Sequence, residues 1–328
     1  MVTQSWIPST DKDNADGGVF ERPLRYGYNY SETVYVRITL LRQRVDGVDQ
    51  PALQVEEVLH GVKRDTPVVF STLTQGHLAQ IGMQVTRMFR LDEDISAFHA
   101  MQNEAKERGF GRLYRSPSTF EDMIKSITNS NMTWAGTVRM CALLCFHYGK
   151  RGAFPTPQEM PTSADELKTK CKVGYRGDRM LQVAALFLTP PEDLSAFDNT
   201  GEADMKTLPT PDPLSTPTKQ KAAAKRARKT QEKLEKRRKN LVLVKRLVQA
   251  DNPRLVVGDS QLVFALIKSL HGFGDFAASN VMQLMGYYDH LAADSETVRG
   301  WAEQWKGLSG DEWVVIGGWA CQRWSIDE

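Results

Sequence analysis

A chain of 328 residues is long enough for one large or two ordinary domains with a true hydrophobic core. Its 41% hydrophobic and 25% charged residues are those of an ordinary globular protein, and it contains no apolar run of about eighteen residues, which excludes a transmembrane helix. The net charge of +2 conceals an asymmetry: residues 219–239, KQKAAAKRARKTQEKLEKRRK, hold 11 Lys or Arg against 2 Glu, so the rest of the chain is net acidic.

Residues 1–25 read as a polar tail; the opening stretch MVTQSWIPSTDKDNADGGVF has no apolar core and carries three Asp and one Lys, unlike a secretory signal. A β-rich N-terminal domain is expected over 26–95. TVYVRITLLRQ, PALQVEEVLHG and TPVVFSTLTQG are rich in β-branched and aromatic residues, and DGVD and KRDT supply turns, so a small antiparallel sheet is the simplest arrangement. The period changes near residue 75. Leu78, Ile81, Val85 and Met88 follow helical spacing.

The stretch SPSTFEDMIKSITNSNMTWAGTVRMCALLCFHYG predicts two helices. Ser118 and Glu121 have capping-box spacing, and Phe120, Met123, Ile124 and Ile127 form one apolar face. Asn129, Ser130 and Asn131 interrupt the pattern, and a second helix begins near Thr133 with Val138, Cys141, Leu144 and Cys145 facing inward. Four cysteines are sparse for this length and fit a reducing compartment. Cys141 and Cys145 read as core residues, and the lack of clustered cysteines after Asp294 argues against an iron–sulfur cluster. The six tryptophans from Trp134 onward read mostly as packing, with stacking on a base open to one of them.

SADELKTKCKVGYRGDRMLQVAALFL predicts a helix, a Gly-Tyr-Arg-Gly turn and another helix. Residues 189–240 read as a Pro-rich linker followed by the basic insertion, mobile or extended over about 195–240; six of the fifteen prolines fall in 189–218. The basic tract would attract phosphates or serve as a nuclear import signal, although its Ala, Lys, Arg, Gln and Glu also favour a solvated helix. LVLVKRLVQA and SQLVFALIKSL return to apolar helices, the second with Leu262, Leu266, Ile267 and Leu270 inward. LHGFGDFAASNV then places Gly272 and Gly274 in a tight turn, with Asp275 as the cap of a helix that buries Ala277, Ala278, Val281, Leu284 and Met285 and ends at Gly286. Amides facing outward at such a helix start suit an anionic oxygen, such as a DNA phosphate. DEWVVIGGWACQRW reads as a closing helix.

LHGFGDFAASNV followed by AADSETVR resembles the signature of the helix-hairpin-helix DNA glycosylase superfamily. LYRSPSTFEDMIKSITNSNMTWAGTVRM and CKVGYRGDRM resemble segments of its 8-oxoguanine and alkyladenine glycosylase branch, and VTRMFRLDEDISAF resembles that branch's link from an N-terminal sheet to a helical domain. The resemblance covers roughly residues 85–188 and 255–305. It implies a mainly α fold: a helix-hairpin-helix glycosylase domain formed by 96–188 and 241–328, preceded by a small N-terminal antiparallel β-sheet domain.

The same resemblance implies a base-excision enzyme acting on double-stranded DNA that contains a damaged base, expected to be a monomer with no cofactor, metal or membrane, and the basic tract adds the expectation of a nuclear location. Gly272 and Gly274 would grip the backbone, Asn131 would contact the DNA around the lesion, Tyr175 would fill the gap left by the flipped base, and Arg176 would face the opposite strand. Asp294 would be the catalytic acid residue, with Glu296 and Asp289 as the next choices. Phe276 stands where bifunctional members carry a nucleophilic Lys, and no Lys lies between Lys268 and Lys306, which implies a monofunctional, water-using glycosylase without lyase activity. His271 replaces the family's usual Pro. The branch favours an alkylated purine, and the Gly-Gln-type segment associated with 8-oxoguanine is absent. The alternatives are a helix-hairpin-helix DNA-binding protein that has lost its chemistry, and a helical scaffold with a basic arm for RNA or protein.

Overall fold

The computed structural model describes residues 6–7, 19–45, 48–58, 73–107, 111–194, 217–293, 313–316 and 319–322. The architecture is mainly helical, with a small antiparallel sheet at the N-terminal end. Strands β1 (Trp6–Ile7), β2 (Val19–Tyr26), β3 (Glu32–Val45) and β4 (Val48–Glu57) pair in chain order as an antiparallel meander. On β3, Val34, Val36 and Ile38 are buried at every second residue, the period of a strand with one face on a core. They pack with Phe20 and Leu24 of β2 against Ile81, Val85 and Met88 of helix α1 (Gln75–Phe89).

Two expectations for this region change. The sheet takes in β1 and β2, which but for Tyr26 lie within the stretch read as a polar tail, and β2 buries Phe20 and Leu24. Most of TPVVFSTLTQG lies outside the described residues; its last residues, Gln75 and Gly76, open α1.

The helical part contains α2 (Ser96–Met101), α3 (Asn103–Glu107), α4 (Thr119–Asn129), α5 (Trp134–His147), α6 (Ala164–Cys171), α7 (Gly177–Leu188), α8 (Pro217–Gln249), α9 (Pro253–Val256), α10 (Ser260–Lys268) and α11 (Asp275–Met285). Helix α4 buries Phe120, Met123, Ile124 and Ile127 as its spacing requires, in a core shared with α5, α7, α8, α10 and α11. Ser118 caps α4 by accepting from the Glu121 amide at 3.2 Å. The Glu121 carboxylate does not complete the capping box, because it is bound by Arg22 and Lys125. On α5 the buried residues are Thr137, Met140, Leu144 and Cys145; Val138 is exposed and Cys141 half-buried, so the inner face is turned from the expected one. Helix α10 likewise buries Val263 in place of Leu262.

The basic tract is corrected from mobile insertion to helix. Residues 217–249 form α8, continuous from the charged segment into the apolar one, where Val244, Leu247 and Val248 join the core. Lys245 is fully buried and donates to Thr189 Oγ1 at 2.7 Å and to Asp193 O at 2.5 Å. Gln249 donates to Leu186 O and Thr189 O. Residues 195–216 lie outside the described residues. The segment expected as a closing helix instead contains β5 (Trp313–Ile316) and β6 (Trp319–Gln322), paired antiparallel. Val and Ile favour strands over helices.

Arginines join the sheet to the helices. Arg22 binds Glu121 at 3.1 Å, and Arg25 binds Glu159 at 2.6 Å and Phe154 O at 3.0 Å. Arg87 reaches Asp122 at 2.8 Å, and Arg90 reaches Gln283 O at 2.5 Å. Burial by itself would raise the Glu121 carboxyl; the charges of Arg22 and Lys125 outweigh it and hold its pKa down to about 2.

Candidate nucleic-acid interface

Helix α10 ends at Lys268, and the chain turns at once. The Phe273 amide donates to Leu270 O at 3.2 Å, closing a β-turn whose third residue, Gly272, has φ +103°. Positive φ at that position is the mark of a type II turn, whose second position, held here by His271, accepts Pro and other residues alike. Phe273 is buried and pins the turn to the core. Gly272 is required twice over: a Cβ there would also lie 2.5 Å from Arg179 Cδ.

Gly274 differs. Its φ is −76°, which any residue adopts, and a Cβ built on it meets nothing within 4 Å. It is the N-cap of α11, and no side chain caps the helix. Asp275, expected as the cap, is instead the first helical residue, and its carboxylate pairs with Lys268. The first amides of a helix have no partner within it, so α11 presents donors and the positive end of its dipole beside an open glycine. The far end of α11 is well satisfied. Gly286 closes it at φ +95°, with Tyr287 N donating to Met282 O at 2.9 Å, while Arg90 and Arg115 donate to Gln283 O and Leu284 O.

The hairpin opens on a cleft of about 2300 Å³. Asn131, Trp134, Gly272, Gly274, Phe276 and Ala293 line it, together with Lys233, Lys236 and Arg237 of α8. Asn131 is exposed, with φ +51°, in the loop between α4 and α5. Trp134 is 75% exposed, so it is an aromatic surface of the cleft and not packing. Phe276 is half-buried in the wall, and Lys268, on the other hairpin helix, also lines it. Asp294 and Glu296 lie outside the described residues; Ala293, the residue before Asp294, lines the cleft. Asp289 is exposed and does not line the cleft.

Tyr175 is 49% exposed in a 3-10 turn, Gly174–Arg176. Its ring lies 4.6 Å from the guanidinium of Arg176 and 4.6 Å from that of Arg179. Tyr175 is not part of the cleft wall, but Arg179 is, and the Arg179 stem is the group packed on Gly272. Arg179 thus connects the tyrosine turn to the hairpin; its spacing in the sequence carries no signal for this. Arg176, expected to face the opposite strand, lies buried in this structure. It is 3% exposed, and its guanidinium donates to Ile127 O, Ser130 O and Asn131 O at 3.2, 2.5 and 3.2 Å. A cation held in this way braces the Asn131 loop, and at 3% exposure it presents almost no surface to an opposite DNA strand.

Cys141, Cys145 and Cys171 are free thiols, and burial pushes the Cys145 thiol up to about 12. Among the described residues no three His, Cys, Asp or Glu side chains gather to hold a metal, and no helix is long and apolar enough to cross a membrane.

No family profile matches the chain, and no curated protein matches it. Solved structures do. MBOgg1 in complex with a low-affinity DNA ligand is 12% identical, covering 90% of this chain and 86% of that one, with a TM-score of 0.45. A 3-methyladenine DNA-glycosylase from Archaeoglobus fulgidus is 13% identical over 88% of this chain and 82% of that one, TM-score 0.45. The Clostridium acetobutylicum 8-oxoguanine glycosylase/lyase, in complex with double-stranded DNA containing cytosine opposite 8-oxoG, is 13% identical over 88% and 81%, TM-score 0.41.

Proposed function

We propose that the chain is a monofunctional helix-hairpin-helix DNA glycosylase of base-excision repair. The observation that carries this reading is the uncapped N-terminus of α11, beside the open Gly274, facing a cleft shared with Asn131 and with the residue before Asp294. A helix start of this kind binds a phosphate without reading sequence. A base stacked in a duplex cannot be reached, so its nucleotide must be flipped out. Tyr175, exposed and flanked by two guanidiniums, is the side chain suited to fill the gap.

In the proposed reaction the bond from the sugar C1′ to the base nitrogen breaks. The electron pair leaves with the base, and a cationic sugar remains. The carboxylate of Asp294 stabilises that cation and takes a proton from water as the water oxygen bonds to C1′. Phe276 offers no amine for a covalent intermediate, so water is the nucleophile and the DNA strand stays intact. The enzyme works as a monomer in the nucleus, and an alkylated purine is the favoured substrate class.

The test is incubation with duplexes that each carry one defined lesion, with and without alkali, for wild type and Asp294→Asn. Base release that breaks the strand only after alkali, and that Asp294→Asn abolishes, is the expected result. A borohydride-trapped covalent adduct would refute the monofunctional mechanism. Retained DNA binding without release from any lesion would favour a DNA-binding protein that has lost its chemistry.

A further inference from the structure

Helix α8 changes character along one face. At its C-terminal end Val244, Leu247 and Val248 point into the core. One to three turns earlier, at the helical spacing that keeps residues on the same side, Asn240, Arg237, Lys236 and Lys233 line the cleft into which the hairpin opens. The two acidic residues of this segment lie off that face. Glu232 pairs with Arg228 at 2.8 Å and Glu235 with Lys239 at 2.8 Å. The part of the cleft lined by α8 is therefore basic, while the neutralised pairs are turned aside. The face is also fixed in place, because the buried Lys245 and Gln249 tie the root of α8 to the 186–193 segment.

We infer that the face of α8 bearing Lys233 and Lys236 is a second phosphate-binding wall, holding the DNA backbone against the hairpin across the cleft. The partner is the phosphodiester backbone of duplex DNA. The charge complements it, and amides of α11 and ammonium groups of α8 converge on one cleft. The contact reads no sequence; it adds affinity that depends on salt. The inference rests on the reading of the cleft as a DNA site, and it adds a grip that the hairpin alone does not provide.

The test measures binding to a short lesion-free duplex over a range of salt. Lys233→Gln with Lys236→Gln is compared with Arg228→Gln with Lys239→Gln, which removes the same charge from the off-cleft face. The cleft-face pair should lower the slope of log affinity against log salt by about 1.8, roughly 0.9 for each lost contact. The off-face pair should leave it almost unchanged, and Lys233→Arg with Lys236→Arg should retain it. Equal losses from both pairs, or an unchanged slope with the cleft-face pair, would overturn the inference. The readout needs no base release. Loss confined to the cleft face in a chain that excises nothing would sink the glycosylase reading and support this one, and an unchanged slope with intact excision would do the reverse.

Discussion

The two hairpin glycines make opposite predictions, and Gly274→Asp is the sharper test. Gly274 has an ordinary φ of −76°, has open space where a Cβ would go, and caps a helix that has no side-chain cap. Aspartate is among the best N-cap residues, better than Gly by about a few tenths of a kcal/mol, and its charge suits the helix dipole. The folded protein should therefore keep its stability or gain slightly. A carboxylate there would stand where the phosphate is proposed to bind. Two like charges about 4 Å apart repel by about 1 kcal/mol in water and about 4 kcal/mol at the dielectric typical of a protein surface. DNA affinity should fall between about fivefold and a thousandfold. Gly272→Ala should behave in the reverse sense. Its φ of +103° and the 2.5 Å approach of Arg179 Cδ make any side chain costly in the fold itself, by about 1–3 kcal/mol for the backbone alone. Urea unfolding and fluorescence anisotropy with a labelled duplex measure the two effects. If Gly274→Asp folds with wild-type stability and binds DNA within twofold of wild type, the hairpin is only a turn between core helices.

Two further outcomes follow from the buried charges. The Glu121 pKa is lowered from 4.5 to about 2, so its carboxylate contributes stability that is fully present above about pH 4.5 and lost as pH falls through about 2, on the order of 3 kcal/mol. Urea titrations across that window should show the loss in wild type and a flatter profile in Glu121→Gln; equal slopes would mean the Arg22–Glu121 pair does not govern acid stability. Arg176→Met should lower unfolding stability by about 2–4 kcal/mol, because buried carbonyls lose a charged donor. Unchanged stability with weakened DNA binding would return Arg176 to the opposite-strand role.

Local pattern revealed those parts of the fold whose stability is local. Alternating Val34, Val36 and Ile38 mark a strand with one face on a core, and the spacing of Phe120, Met123, Ile124 and Ile127 marks a helix, although α4 proves to be buried on nearly every side. Strand β2 was hidden because VFERPLRY carries two arginines in positions that prove to be buried. Their partners, Glu121 and Glu159, lie 99 and 134 residues away, beyond any window in which a charge can be seen to be paired. Burying an arginine is tolerable only with such a partner, so the residues that excluded β2 from a local reading are the ones that attach it to the helices. The β5–β6 pair left a clearer trace: two β-favouring runs separated by Gly317-Gly318 have hairpin spacing.

The candidate site divides along the same line. Two glycines spaced around a buried Phe273 were legible as a hairpin, because turn geometry is local. The difference between them was not. Gly272 answers to Arg179, a residue of α7 far away in the chain, and a Cβ at Gly274 meets nothing within 4 Å among the described residues. A glycine with open space and an ordinary φ, at the uncapped end of a helix, leaves room for the phosphate proposed to bind there. The Arg179 contact adds a consequence. Its stem rests on Gly272 and its guanidinium lies against Tyr175, so the turn that would hold the backbone and the ring that would enter the base stack are braced by one side chain. A displacement of either is resisted by packing against the other, and the spacing between the hairpin turn and the Tyr175 ring is thereby set by the fold.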